Sequence, residues 1–500
     1  MTHLGLDLGT SGLRGVLLGG DGAVLGAAER AYEVRRPRPG WSEQDPADWV
    51  EACRGVVADL RGAHGGAVAA LKGIGLSGQM HGAVLLGEDH EPLRPCMLWN
   101  DTRASREAEA LDTEGSRRVT GNLVFPGFTA PKVAWVAAHE PDAFARLRLV
   151  LLPKDHLRLW LTGEAVTDLS DASGTAWLDM GARRWSDALL DASGLARSQM
   201  PALVEGSEVS GRLRDAVADE LGLPRGIPVA GGGGDNAAAA AGLGTLGEGR
   251  GHVSLGTSGV VLAARERFTP APETAVHSFC HAIPGAWYQM AVILAATDAL
   301  SWLARLAGRS PGDLAGAMPE RAEGPGPVRF APYLSGERTP HNDARVRGAF
   351  TGLDVAHGAE ALTQAVMEGV AFALRDGLDA LRAAGASPSR LTATGGGARS
   401  AFWLDTLAQA MDLPIDVPEA GEIGAALGAA RLSLCAATGA APEAVMTRPP
   451  IARVHEPRPE LRAAYEDALA VHRETYPALR AWGRARGDAI HEPHPMSPTR

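Results

Sequence analysis

The sequence predicts an α/β protein built as two similar domains facing a central cleft. Three observations lead to that fold class. The pentapeptide Leu8-Gly9-Thr10-Ser11-Gly12 recurs as Leu255-Gly256-Thr257-Ser258-Gly259, half a chain length further on. Each copy joins two short apolar runs, so each reads as the turn of a β-hairpin. Two later stretches, Gly231-Gly232-Gly233-Gly234 and Gly395-Gly396-Gly397, follow strand-like runs and precede helical ones. The ends of strands are where α/β sheets usually bind ligands.

A Gly-Thr-Ser-Gly turn directs backbone N–H groups and two hydroxyls toward one point, which suits a phosphate. One such turn would be an ordinary β-turn. Two at this spacing argue for duplicated halves with one phosphate loop each. Asp7 stands just before the first copy and Ser254 before the second. A carboxylate beside one loop suits a Mg2+ ion shared between protein and phosphates.

Five hundred residues exceed one compact core, so more than one domain is expected. The net charge of −11 argues against non-specific nucleic-acid binding. No apolar run is long enough to span a bilayer, and the first residues lack a signal-peptide pattern. The four cysteines, Cys53, Cys96, Cys280 and Cys435, are scattered without a CxxC pair. They read as free thiols of a cytoplasmic protein.

Taken in order, the first hairpin continues into a third strand over 23–34, an opening meander. Asp45 and Pro46 read as N-cap and first residue of a helix to about Arg61. A strand over 71–76 then delivers Ser77-Gly78-Gln79-Met80-His81-Gly82. His81, beside Gln79 and two glycines, reads as a site residue rather than a structural one. Trp99 reads either as core or as an aromatic wall for a sugar, and Asp101 with Arg103 as a local ion pair. Lys132, near the start of the next helix, is expected to be solvated or capping. Residues 167–179 read as loop plus strand near the cleft.

Ile227-Pro228-Val229-Ala230 leads into the four glycines, Asp235, Asn236 and an alanine run. The glycines clear the space around Asp235, which then starts a helix at a strand end. That placement suits a general base for a substrate hydroxyl, with Asn236 on a neighbouring hydroxyl. In the second half, His277-Ser278-Phe279-Cys280-His281 reads as strand rather than metal site. Residues 308–327 read as an exposed excursion, and 334–341 as a polar loop near the cleft. The helix over about 360–384 shows a clean apolar face, Leu362, Val366, Val370, Leu374, Leu378 and Leu381. The triple-glycine turn at 395–397 precedes a helix to Met411, and another helix is expected over 422–430. The last helix should run from near Leu461 to Arg484, with a kink or break at Pro477.

These segments, in order over about residues 3–435, resemble the FGGY family of carbohydrate kinases. That family belongs to the superfamily of sugar kinases, hexokinase, actin and Hsp70. Gly5–Gly12, Trp41–Pro46, Gly78–Gly82, Leu98–Asp101, Gly127–Lys132, Gly232–Ala237, His277–His281, Tyr333–His341 and Gly395–Ser400 carry the resemblance. It implies two ribonuclease-H-like domains: residues 1–245, with the sugar site and first phosphate loop, and 246–440, with the nucleotide site. Residues 441–485 would be a linker and helix, and 486–500 a disordered tail.

The Met80-His81 pair is most similar to the branch of the family acting on D-xylulose. The implied reaction is ATP-dependent phosphorylation of D-xylulose at O5, with Mg2+, in pentose (xylose) catabolism. By the same resemblance, Met80, His81, Asp235, Asn236 and Trp99 meet the sugar, with Asp235 as general base at an ordinary pKa near 3.9. Asp7 holds Mg2+ through water. Thr10, Ser11, Gly256 and Thr257 meet the phosphates, and Gly396, Gly397 and Ala398 the nucleotide. The partners are sugar and ATP, with no nucleic acid or membrane, and a homodimer is left open. Another ketose or polyol as substrate, or a sugar sensor without catalysis, are the alternatives.

Overall fold

The computed structural model of the protein describes residues 1–419 and 424–485. The expected tail over 486–500 lies outside the described residues, as does Glu422, where a helix was expected to start. The first of two seven-stranded sheets holds β1 (Thr2–Leu8), β2 (Gly12–Gly19), β3 (Val24–Ala31), β4 (Leu71–Gly78), β5 (Val209–Arg212), β6 (Pro228–Ala230) and β7 (Gly233–Gly234). The second holds β8 (Arg250–Leu255), β9 (Gly259–Arg265), β10 (His277–Cys280), β11 (Trp287–Ile293), β12 (Arg390–Thr394), β13 (Ile415–Pro418) and β14 (Ile451–His455).

The strand orders are β5-β6-β4-β1-β2-β3, with β7 also on β4, and β10-β11-β9-β8-β12-β13-β14. In each sheet a hairpin, β1–β2 or β8–β9, is antiparallel, and the hairpin's first strand is then joined in parallel by a later one, β4 or β12. The repeated pentapeptide therefore marks a repeated sheet, and both copies fall on the hairpin turn.

The helices that shape the site are α1 (Pro46–Ala69), α2 (Thr129–His139), α3 (Pro153–Thr162), α4 (Asp235–Gly242), α5 (Thr297–Ala307), α6 (Ala359–Ala383), α7 (Ala401–Met411), α8 (Gly424–Thr438) and α9 (Pro459–Ala485). Asp45 caps α1 by accepting from the Ala47 amide at 3.0 Å. The helix runs past Arg61 to Ala69, with a non-helical His64 inside it.

Alternation along β1 sends Leu4, Leu6 and Leu8 to one face, where Trp49, Val56 and Leu60 of α1 share their core. Gly5 faces the other way. A Cβ there would lie 2.0 Å from the Ala426 carbonyl, and one on Gly75 of β4 would lie 1.8 Å from that of Ala429. Only glycine lets α8 lie this close to the sheet. On its far side α8 meets α4 the same way, since a Cβ on Gly428 would be 1.8 Å from the Ala238 carbonyl. A helix from late in the chain is thus seated on the first sheet.

Two expectations are corrected. Residues 308–327 are not simply exposed: Ser310 caps a helix over Pro311–Gly316, and Leu314 and Ala322 are buried. Of the expected kink or break at Pro477, the break is absent, since α9 continues through it. That proline is exposed, so the carbonyl its missing N–H leaves free can be hydrated.

Candidate active site

Both hairpin turns are built with their carbonyls held inward. In the first, the Gly9 amide donates to the Gly12 carbonyl at 3.0 Å, closing the turn. Tyr32 OH donates to the Gly9 carbonyl at 2.5 Å, Gln44 Nε2 to that of Thr10 at 2.7 Å, and the Tyr32 amide to that of Ser11 at 3.2 Å. In a trans peptide the N–H points opposite its carbonyl, so the Thr10 and Ser11 amides turn outward. Trp99 Nε1 donates to Thr10 Oγ1 at 3.0 Å, so the half-buried Trp99 braces this loop.

In the second turn, residues at the start of α5 supply the donors, and Thr297 Oγ1 is among them, donating to the Gly256 carbonyl at 2.8 Å. Thr297 N donates to the Gly256 carbonyl at 2.9 Å and Ala296 N to that of Thr257 at 2.8 Å. Thr257 is exposed. The glycine turn at 395–397 lies against this loop. Gly395 has φ +85°, and a Cβ there would be 2.6 Å from the Leu255 carbonyl. Gly396 has open space beside it, and Ala398 packs on the second core.

Asp7 and Asp235 come together through the first sheet. Asp7 pairs with Ser77 across β1 and β4, and Ser77 with Gly233 across β4 and β7. Ser77 Oγ donates to Asp7 Oδ1 at 2.9 Å. Burial raises the Asp7 pKa against that bond and Arg14. Asp235 begins α4, and its Oδ1 accepts from Asn236 N at 2.7 Å and Nδ2 at 2.8 Å. Burial, and then the charge of Asp7, push its carboxyl up to about 7. The ordinary value expected from sequence is therefore corrected. A site where one carboxylate raises another is one that a divalent cation would relieve, so these residues fit a Mg2+ ion.

The glycine run is explained by contact. A Cβ on Gly231 would be 2.2 Å from the Glu205 carbonyl, one on Gly232 2.0 Å from that of Leu76, and one on Gly234 2.8 Å from Met80 Cγ. Met80 is buried against the residue that precedes Asp235.

His81 has φ +71°, a conformation that needs external support in a non-glycine residue. Lys132 Nζ and Thr129 Oγ1 supply it, donating to the His81 carbonyl at 2.9 and 3.1 Å. The expectation of a solvated or capping Lys132 is thus overturned. The first turn of α2 points inward, Lys132 is fully buried, and burial lowers its pKa to about 7. The His81 ring stacks on Phe128 at 4.7 Å, and its Nδ1 meets the Gly174 carbonyl at 2.7 Å. A carbonyl only accepts, so Nδ1 carries the proton. Burial lowers the ring's pKa to about 3, which leaves Nε2 as a neutral acceptor.

Sequence reasoning missed two parts of this site. One is a fully buried ionic network behind β7. Lys154 Nζ meets Asp155, Asp168 and Asp171 at 2.6, 2.7 and 3.1 Å. Burial works against its charge, but the three carboxylates outweigh that and raise its pKa. Burial holds the Asp171 carboxyl well above the usual range, against the charge of Lys154. Arg158 donates to the Ala230 and Gly231 carbonyls at 2.7 and 2.5 Å. Ser170 Oγ donates to Asp168 and accepts from the Gly234 amide at 3.1 Å. The network therefore grips the turn that presents Asp235. Its signal was charge within apolar runs, Lys154, Asp155 and Arg158 among Leu149–Leu161.

The other part is Tyr288 of β11, whose hydroxyl lies 3.9 Å from the Met80 sulfur. Burial and the charge of Asp235 raise its phenol. β10 joins it, with Phe279 6.1 Å from the His81 ring and His277 5.8 Å from Phe128. Asp101 and Arg103 form the expected ion pair at 2.6 Å, with Glu43 at 2.8 Å as a further partner of Arg103.

A duplicated sheet with a phosphate-type turn on each copy defines a phosphotransferase of the actin and hexokinase fold. The N-terminal domain model of the FGGY family of carbohydrate kinases matches residues 2–242, and its C-terminal domain model matches residues 251–437. The chain belongs to the FGGY family of carbohydrate kinases. It is 46% identical over 485 residues to xylulose kinase of Escherichia coli (strain K12), covering 95% of this chain and 99% of that one. A solved xyloylose kinase from Brucella ovis is 55% identical, with a TM-score of 0.94, over 96% of this chain and 100% of that one. The xylulose kinase of Rhodospirillum rubrum is 28% identical, with a TM-score of 0.88, over 97% and 100%. Among the described residues no helix is long and apolar enough to cross a membrane.

Proposed function

We propose that the protein transfers the γ-phosphoryl group of ATP to O5 of D-xylulose, giving D-xylulose 5-phosphate and ADP. The observation that carries this reading is Asp235, whose carboxyl is pushed up to about 7 by burial and by Asp7, and which follows Gly234, packed on Met80. The names of the relatives support the sugar. Residues 1–245 bind it and residues 246–440 bind the nucleotide. The four cysteines are buried and free, which supports a cytoplasmic setting.

The sugar lies against Met80 and Trp99. His81 Nε2 accepts from one hydroxyl and Asn236 binds its neighbour. Asp235 accepts the proton of the O5 hydroxyl as that oxygen attacks phosphorus. Phosphoryl transfer passes through a loose transition state, so alignment and charge neutralisation dominate the barrier. The outward amides of Thr10 and Ser11 and those around Gly256 and Thr257 take the phosphate oxygens. Gly396, Gly397 and Ala398 form the floor for the nucleotide. Asp7 would hold Mg2+ through water, and Mg2+ when bound neutralises phosphate charge.

The test is ADP release, measured by a coupled assay with Mg·ATP and D-xylulose, D-ribulose, L-ribulose or glycerol. A preference for D-xylulose supports the reading. A preference for another sugar overturns the substrate but keeps the kinase, and no stimulation by any of them overturns both.

A further inference from the structure

The chain leaves the first sheet for the second along residues 243–249. It returns to the second sheet along 439–450, after α8. These connections run side by side. A Cβ on Gly244 would lie 2.7 Å from the Arg448 nitrogen, and Arg431 of α8 donates to the Gly242 and Thr447 carbonyls at 2.9 and 2.7 Å.

Beside them opens a cavity of about 200 Å3, at the end of β8 and β12 remote from the Gly256 turn. Thr245, Arg250, Ser389, Arg390, Thr392 and Arg448 line it. Arg390 and Arg448 share one carboxylate, the buried Asp416, with Arg390 at 3.1 Å. Arg250 donates to the Gly244 carbonyl at 3.3 Å. Three guanidinium groups against one carboxylate leave an excess of two positive charges, in a chain whose net charge is −11.

We propose that this cavity is a regulatory site for a phosphate monoester dianion, the size of a small sugar phosphate. Guanidinium forks match phosphate oxygens in pairs. The charge excess matches a dianion, and the volume holds a few heavy atoms beyond the phosphate. A ligand here would tie Arg448, on the returning connection, to Arg250 and Arg390, paired residues at the start of β8 and β12 on the second sheet. It would therefore fix how the sheets sit relative to each other and alter sugar affinity in the cleft. The effect on turnover rests on the proposed kinase reaction, whereas binding in the cavity does not.

The experiment uses the full chain with its cleft first filled by D-xylulose and a non-hydrolysable Mg·ATP analogue, followed by calorimetry. Failure of that first titration would count against the proposed function. Inorganic phosphate and ribose 5-phosphate are then titrated separately. Binding of either with the cleft filled, weakened at least about tenfold in Arg250→Gln, supports the site. Tighter binding of the sugar phosphate would show that the sugar is read as well, and equal binding that the phosphate alone is. The ligand should also shift the KM for sugar at least about twofold in the wild type and not in Arg250→Gln. Arg390→Gln is a second variant. If it misfolds because Asp416 loses a partner, Arg250→Gln decides, because among the described residues its side chain holds no carboxylate. No binding with the cleft filled, or binding unchanged in Arg250→Gln, overturns the proposal.

Discussion

Asp235 can be tested through its own titration. Its carboxyl sits at about 7 because it is buried and faces Asp7. Only the ionised form accepts a proton, and Mg2+ when bound would relieve part of the repulsion from Asp7, so kcat/KM for the sugar should show an acid limb of about tenfold per pH unit that breaks at or below about pH 7. Asp7→Asn removes one of the raising charges, so the residual activity should show its acid limb at lower pH. Asp235→Asn should lose about 10²–10⁴ in kcat and lose the limb altogether.

The same shift predicts a stability effect. The folded pKa lies above the ordinary 3.8, so stability is intact below pH 3.8 and is lost as pH rises toward 7. The loss reaches at most about 4 kcal/mol. Asp235→Asn should therefore resist urea better than the wild type at pH 8, with the difference shrinking toward pH 4. The assays are coupled ADP release from pH 5.5 to 9 and urea unfolding at pH 5 and 8. A flat pH profile, or an Asp235→Asn enzyme within tenfold of normal turnover, would refute the reasoning.

Other outcomes follow from the same geometry. Ser170→Ala leaves the buried Gly234 amide without its acceptor, at a cost of about 1–3 kcal/mol. It should lower kcat more than it raises KM in steady-state assays. Lys154→Met strands buried carboxylates, so thermal unfolding should show a loss of about 3–5 kcal/mol. His81 is neutral across the working range, so sugar KM should show no histidine titration between pH 5 and 8. His81→Leu should raise that KM about 3- to 10-fold through one lost hydrogen bond. Chelating Mg2+ should abolish turnover, and Asp7→Asn should raise the Mg2+ concentration at half-maximal rate.

What could be read from the chain was local. The hairpin turns, the Asp45-Pro46 helix start and the glycine run before Asp235 all lie within a few residues, so their geometry follows from neighbours. What could not be read depends on residues far apart in sequence. The partners of Lys154 lie along the chain from Asp155 to Asp171, and the turn their network grips lies much later, from Ala230 to Gly234. Lys132 was expected to be solvated or capping near its helix start, yet that turn points into the protein. The Asp235 pKa depends on a carboxylate more than two hundred residues earlier. Tyr288 carried no motif, and the Met80 it meets lies more than two hundred residues earlier.

The seating of α8 bears on how the protein is made. The strands of the first sheet are all synthesised within the first 234 residues. Among the described residues, the helix over 424–438 is what packs on the face of that sheet at Gly5 and Gly75. During translation that face stays bare until most of the second half has left the ribosome, a state prone to aggregation. The two halves therefore cannot mature one after the other. A chain cut near residue 245 yields two fragments, neither complete, and the second fragment carries the helix that finishes the first. Co-expression of the two should restore a folded molecule where either alone fails.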